Sequence, residues 1–411
     1  MSGIIIYHPS KYLGGTEILF SRIIDLLISK GIKNINVVDF NDGVLTSKLR
    51  NSDVIYHDVI NFDISALFEN SQLIASARNI SRVIYECKKN DILNLKPMFW
   101  LLHPSELYAG YCIGSSALKR IGYKYLKLFI KILPAFNVYK NIIQSLDVNE
   151  NLWIMDGACQ SESEWALGYS FRNNIVLPLI TNLEQSLISY KGDSAKKFAI
   201  LSRLDDFKIH GIIKLIDDII LYNSINVTDN VAVSIIGDGP ARSMLEEKYK
   251  DKLNINFLGY VNNSDLTDLF ETGNFSILFA MGTSSLEGCS RGVPTVLLPS
   301  TDKPIINRDN IYRYLHLSKG LDLGEYINTP FESSGYINFN EMLDYFEKNK
   351  NKLAEYSISF FEEHYGKVVT QDKLLSVIMG GKVLQINNIK TSMLFSIYTR
   401  FLSNKRLRSG V

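Results

Sequence analysis

Short apolar runs separated by amphipathic stretches dominate the chain. The first forty residues read as a strand over 3–8, a Gly-containing loop over 9–15, an amphipathic helix over 16–29 and a second strand over 35–39. A strand, a helix and a strand in that order imply a parallel sheet, because parallel neighbours require a crossover connection. Further strands are expected at 54–56, 72–75, 83–85, 98–102 and 152–155, so the N-terminal half reads as one doubly wound domain.

Around 175–179 the apolar pattern gives way to a polar stretch over 181–197, which includes Lys191-Gly192-Asp193-Ser194. A domain boundary is expected there. The second half repeats the alternation, with strands at 197–202, 231–236, 254–258, 275–279 and 295–298 and helices at 211–222, 241–250, 264–271 and 285–291. The expected organisation is therefore an α/β domain over 1–182, a second over 195–370 and a helical tail over 371–411, packing on the first domain or on a membrane.

Length agrees with this division, since 411 residues exceed what one core usually serves. Charge narrows the function: 44 basic against 43 acidic residues give no general attraction for nucleic acid. Cys87, Cys112, Cys159 and Cys289 are widely spaced, which suggests neither a disulfide framework nor a zinc site. A reducing compartment fits, and Cys112, Cys159 and Cys289 read as small packing residues. The start lacks the pattern of a signal peptide, and no apolar run approaches the ~18–20 residues of a membrane span, so a cytoplasmic protein with at most peripheral membrane contact is expected.

Ligands of open parallel sheets bind beyond the carboxyl ends of the strands. Three distinctive loops of the second half fall there. Ser202-Arg203-Leu204-Asp205-Asp206-Phe207-Lys208 offers a guanidinium and an ammonium that can grip a diphosphate leaving group, or is a solvated charged loop. Gly237-Asp238-Gly239-Pro240 permits close backbone approach at a helix start, or merely ends a strand. In Met281-Gly282-Thr283-Ser284-Ser285-Leu286-Glu287 the amides of a helix start can hold phosphate oxygens, while Glu287 can accept from vicinal ribose hydroxyls or simply complement the helix dipole.

In order and spacing, these loops resemble the donor-binding half of GT-B glycosyltransferases, particularly the bacterial family-4-type enzymes. The resemblance rests on Arg203/Lys208, Gly237 to Pro240, and Leu286-Glu287 followed by Gly292-Val293-Pro294. It implies two Rossmann-like domains facing a cleft, with Arg203 and Lys208 on the donor diphosphate, Gly237, Gly239, Gly282, Thr283, Ser284 and Ser285 lining the donor site, and Glu287 on the ribose. Gly14-Gly15-Thr16-Glu17 is similar to that group's first loop, at a helix N-terminus on the cleft. One departure stands out: the family pattern has a second Glu eight residues before the ribose-binding one, and here that position is Phe279. Retention of anomeric configuration therefore does not carry over.

In the first domain, His103 directly follows an apolar strand, where similar enzymes place a histidine near the donor sugar. Glu106 is the candidate acid or base beside it, or a helix cap. No D-x-D pair lies where a metal would be needed, so metal-independent transfer is expected, with Arg203 and Lys208 stabilising the leaving group and no cofactor required. Expected partners are a nucleotide sugar and a saccharide or lipid-linked acceptor of cell-surface polysaccharide synthesis. Two basic amphipathic segments, 119–134 and 390–411, are candidates for contact with an anionic membrane. A silent nucleotide-sugar-binding module and an epimerase on the same scaffold are the alternatives.

Overall fold

The computed structural model describes residues 3–48, 54–61, 64–112, 115–173, 176–185, 196–227, 230–250 and 255–410. The loop at 191–194 and the expected strand ends at 175 and 254 lie outside these residues. The chain divides into two compact units, Met1–Ile180 with Thr370–Val411, and Thr181–Val369.

The first unit holds β1 (Ile4–Tyr7), β2 (Ile35–Asp39), β3 (Val54–Asp58), β4 (Gln72–Ser76), β5 (Asn94–Leu101) and β6 (Leu152–Ile154). They run parallel in the order β6-β5-β4-β1-β2-β3. The two-residue strand Leu384–Gln385 pairs antiparallel with the start of β5. Successive residues of β1 feed opposite layers: Ile5 and Tyr7 join one apolar cluster, Ile4 and Ile6 the other. A sheet covered on both faces has no polar side, which is why its strands read as unbroken apolar runs. The helix Gly15–Ser29 covers one face with Leu19, Phe20, Ile23, Ile24 and Leu27, each such burial stabilising by roughly 1.5–3 kcal/mol.

The segment 83–85 is not a strand but lies within the helix Ile80–Lys89. Ile80, Val83, Ile84 and Cys87 are its buried residues, and the i, i+3, i+4, i+7 spacing decides for helix over a three-residue apolar run. The segment 119–134 is likewise not one helix: a helix over Ser115–Ile121 ends before Gly122, and a second runs Tyr123–Ile132. The tail forms the helix Met393–Ser409, whose Ser392 side chain caps it by accepting from the Phe395 amide at 3.1 Å. Its Phe395 and Leu402 sit in the core of the first unit, with Phe395 and Tyr398 against the ring of Tyr111.

The second unit holds β7 (Lys196–Leu201), β8 (Val231–Ile236), β9 (Ile255–Gly259), β10 (Ile277–Ala280), β11 (Thr295–Leu297) and β12 (Arg313–Tyr314). Their order is β12-β11-β10-β7-β8-β9, parallel except for β12. Here too β7 alternates, Phe198 and Ile200 facing one cluster and Ala199 the other. The helix expected at 211–222 begins at Asp206 and ends at Ile225, which places Lys208 inside its first turn. Beyond β11 the sequence pattern names no element before the tail, yet Phe339–Asn349 and Leu353–Tyr365 are helices of this unit. Each unit is thus a Rossmann-like α/β layer structure. All four cysteines are buried, and none is in a disulfide among the described residues.

Candidate functional site

In the second unit, the chain leaves β7 towards β8 on one side, whereas β10 lies on the other side of β7. Such a reversal opens a crevice at the carboxyl ends of the two strands, where ligands of open sheets bind. The loops at this point are Ser202–Asp205 after β7 and Met281–Gly282 after β10.

Arg203 is exposed and its Nε donates to the Asp205 carboxylate, which pins the guanidinium at the loop while leaving its Nη groups as further donors. Lys208 is half-buried in the first turn of the helix Asp206–Ile225, its Nζ 5.8 Å from the centre of the Phe207 ring. Desolvation lowers the pKa of Lys208; the Asp205 charge opposes this and the Arg203 charge adds to it. Arg203 and Lys208 thus lie close enough to feel each other's charge, with Asp205 as the carboxylate between them.

The Gly237–Pro240 turn packs against the cationic loop. Leu204 N–H donates to the Asp238 carbonyl at 3.0 Å, and Ala241 N–H donates to the Leu204 carbonyl at 3.1 Å. A Cβ on Gly237 would run into the Ser202 carbonyl oxygen, and one on Gly239 would lie 2.6 Å from that of Leu204. Both glycines therefore let this turn close onto the cationic loop, so that Arg203 is placed from behind.

The helix Thr283–Ser290 starts two residues after β10, at Gly282 with φ +64°. Ser285 is buried and its Oγ donates to the Gly282 carbonyl at 2.7 Å, a structural closure of the turn rather than a free ligand group. Thr283 is exposed and Ser284 partly so, and amides of a first helical turn have no intrahelical acceptor. Glu287 is one turn further on. Its Oε2 accepts from Nη1 of Arg291 at 2.6 Å, and Arg291, itself 7 % exposed, also donates to Thr267 Oγ1 at 3.0 Å. The sequence reading missed Arg291; the i, i+4 spacing of an acid and a base was the available signal. Phe279, where the family pattern has its second Glu, is wholly buried in β10 against Phe198 and Tyr312.

In the first unit, sheet order reverses between β1 and β4. Gly14 precedes the helix Gly15–Ser29, with Gly15 exposed and Thr16 partly so. Glu17 does not project with them. It is buried, and its Oε1 lies 2.9 Å from Nε2 of His8, whose ring stacks on Phe20 at 4.4 Å. Burial would raise the Glu17 pKa, but the hydrogen bond and charge of His8 outweigh it and hold the carboxyl at about 2. A carboxyl held below its unfolded value contributes stability above that value and loses it as pH falls through the folded one. Denaturant midpoints measured between pH 7 and 2 should accordingly fall less steeply below about pH 4.5 in Glu17→Gln than in the wild type.

His103 is exposed just beyond β5, and its Nδ1 accepts from the Ser105 amide at 3.3 Å. Desolvation by the surrounding protein, together with the Lys119 and Arg78 charges, pushes its pKa down to about 4. The ring is open to a ligand yet neutral, with Nδ1 occupied as acceptor and the proton on Nε2. Glu106 is not presented beside it: the side chain is buried, and Oε2 accepts from the Leu102 amide at 2.8 Å. Burial raises its pKa. Its carboxylate closes the turn that carries His103, a role that a helix-start acid performs as readily as capping. Arg78, exposed after β4, and Lys119, paired with the buried Glu162 at 2.9 Å, are the cations that sequence reading missed around His103. Among the described residues no group of three or more His, Cys, Asp and Glu is arranged to hold a metal ion.

No family model matches the sequence, and no curated protein does. Solved structures do match the chain over most of its length. The lipopolysaccharide outer core galactosyltransferase WaaB in its apo form is 13 % identical, with a TM-score of 0.54 over 92 % of this chain and 99 % of that one. Anabaena HepE in complex with UDP and glucose is 14 % identical, with a TM-score of 0.52 over 92 % of this chain and 100 % of its own. The fold is GT-B. A glycosyltransferase from Rickettsia africae, 11 % identical, has a TM-score of 0.52 over 92 % and 98 % of the two chains. At these identities the likeness is one of fold, and the chemistry has to be argued from the residues.

Proposed function

We propose that this chain is a metal-independent glycosyltransferase. Its second unit binds a nucleoside diphosphate sugar, and its first unit receives a saccharide or lipid-linked saccharide acceptor of cell-surface polysaccharide synthesis. The observation that carries this reading is the meeting, at the β7/β10 reversal, of the Arg203–Lys208 cation pair with the loop and helix start Gly282–Glu287. Cations, an open helix N-terminus and a carboxylate one turn in are the three contacts that a diphosphate joined to ribose requires. The names of the similar structures, a galactosyltransferase of the lipopolysaccharide outer core and a protein holding UDP and glucose, support the substrate class.

In the transfer, the bond between the anomeric carbon and the diphosphate oxygen breaks as the acceptor oxygen bonds to that carbon. Negative charge grows on the leaving diphosphate, where Arg203 and Lys208 meet it without a metal. The proton of the acceptor hydroxyl leaves with the departing charge or to solvent. Neutral His103 donates from Nε2 to a sugar hydroxyl, and Glu106 positions it by holding the Leu102 turn. Transfer should therefore stay level down to about pH 5 and fail only as His103 protonates near the value of about 4; a fall centred near the ordinary ~6.5 would remove His103 from this role.

The test is a thermal-shift screen of nucleoside diphosphates with and without magnesium, followed by transfer from the labelled donor. Stabilisation by one nucleotide that persists in chelator supports the reading. Glu287→Gln should weaken that nucleotide about tenfold or more, the worth of a hydrogen bond to a charged group, while leaving its 2′-deoxy form nearly unchanged. If the variant weakens both equally, Glu287 is not on the ribose. The buried Phe279 favours a second reading, a binding module without transfer, which nucleotide stabilisation without turnover would establish.

A further inference from the structure

The helix Tyr123–Ile132 has two apolar faces, and only one of them is used. Leu126 and Ile130 are wholly buried in the core of the first unit. Tyr125, Leu128 and Ile132 are 57, 61 and 70 % exposed, and at 100° per residue they share an arc of about 60° on the outer side. Ile121, just before the helix, is exposed as well. An ordinary surface helix turns polar residues outward; this one turns out an aromatic and two large aliphatics.

Charge indicates what covers them. From Leu107 to Leu146 the sequence has six basic residues and no carboxylate, in a chain of 44 basic and 43 acidic residues. Lys119 is consumed by Glu162. Lys124, Lys127 and Lys131 belong to the helix itself and flank the exposed stripe on one side. The Nζ of Lys127 lies over the Trp165 ring, 5.0 Å from its centre, a cation–π contact that holds the ammonium near the helix. An apolar stripe bordered by lysines, on a segment with no carboxylate of its own, is complementary to a surface that is apolar within and anionic at its rim. A ten-residue helix spans only about 15 Å, too short to cross a bilayer, so it lies in the interface.

We propose that the outer face of the helix Tyr123–Ile132 docks this protein on an anionic lipid bilayer, Tyr125, Leu128 and Ile132 entering the acyl boundary and Lys124, Lys127 and Lys131 meeting the headgroup charge. The inference goes beyond the transfer reaction and does not depend on which nucleotide is bound. It agrees with a lipid-borne acceptor, which would be brought to the enzyme in two dimensions.

The full chain is to be mixed with vesicles of phosphatidylcholine alone or with about one-third phosphatidylglycerol, and the bound fraction measured by flotation. Binding is expected to the anionic vesicles and to weaken at least about tenfold as salt shortens the screening length. The triple variant Tyr125→Ser, Leu128→Ser, Ile132→Ser should lose binding in both media, and Lys124→Gln, Lys127→Gln, Lys131→Gln should lose the preference for phosphatidylglycerol. Unchanged melting and unchanged nucleotide stabilisation in both variants keep the result separate from folding and from the donor site. Vesicle binding that survives the triple serine variant overturns the proposal, as does no binding by the wild type. So does a dimer in lipid-free buffer that the triple variant dissolves, because a second copy would then be the occupant.

Discussion

Replacing Arg203 and Lys208 together by alanine is expected to lower kcat/KM for sugar transfer by roughly 10²–10³-fold or more, the usual loss when charge stabilisation of a leaving group is removed. Stability should hardly change. Arg203 is exposed and Lys208 only half-buried, and the ion pair of Arg203 with Asp205 that is lost lies at the surface. The measurement is steady-state transfer from the labelled donor alongside a melting curve. Loss of rate with an unchanged melt assigns the pair to the diphosphate; an unchanged rate would leave the loop as solvated charge. Lys208 adds a pH signature. Its pKa is lowered by desolvation and by Arg203 against the pull of Asp205, and a bound diphosphate would raise it again. Nucleotide affinity should then weaken as pH rises and the free enzyme's ammonium is lost. Lys208→Arg, charged at every accessible pH, should flatten that dependence.

Much of the fold was legible in the sequence, for a physical reason. Parallel strands buried on both faces are apolar at consecutive positions, so β1, β2, β7, β8 and β10 stand out, and the loops that follow them are where polar motifs become informative. The same reasoning fails where a short apolar run is ambiguous. Val83-Ile84-Tyr85 has strand composition, and only the wider set Ile80, Val83, Ile84 and Cys87 reveals the helix. It also fails for carboxylates near helix starts. Spacing gives Glu17 and Glu106 the same standing as Glu287, but the first folds back onto His8 and the second onto the Leu102 amide, because each helix follows a strand end that supplies a partner. Nor does spacing separate the glycines. At Gly237 and Gly239 the backbone of Ser202 and Leu204 stands where a Cβ would go, a constraint that the motif alone does not reveal.

That distinction gives the largest stability effect to be expected. At Gly237, with φ +130°, an L side chain is strained, and its Cβ meets the Ser202 carbonyl oxygen. This backbone group cannot turn aside, because Ser202 N–H donates to Ile236 O at 3.0 Å and Gly237 N–H donates to Gly259 O at 2.7 Å. The unfavourable φ alone costs about 1–2 kcal/mol, and moving the loop away from the turn adds the hydrogen bonds between Leu204, Asp238 and Ala241. Gly237→Ala should destabilise the protein by about 3 kcal/mol or more, lowering the melting temperature by roughly 6–12 °C for a unit of this size. Gly282→Ala is the control. It has φ +64° and open space around the added carbon, so only the strain of about 1–2 kcal/mol applies. Thermal melts of the two variants in nucleotide-free buffer compare them directly. If Gly237→Ala melts with the wild type yet no longer binds nucleotide, the glycine serves ligand approach and not the closure of one loop on the other.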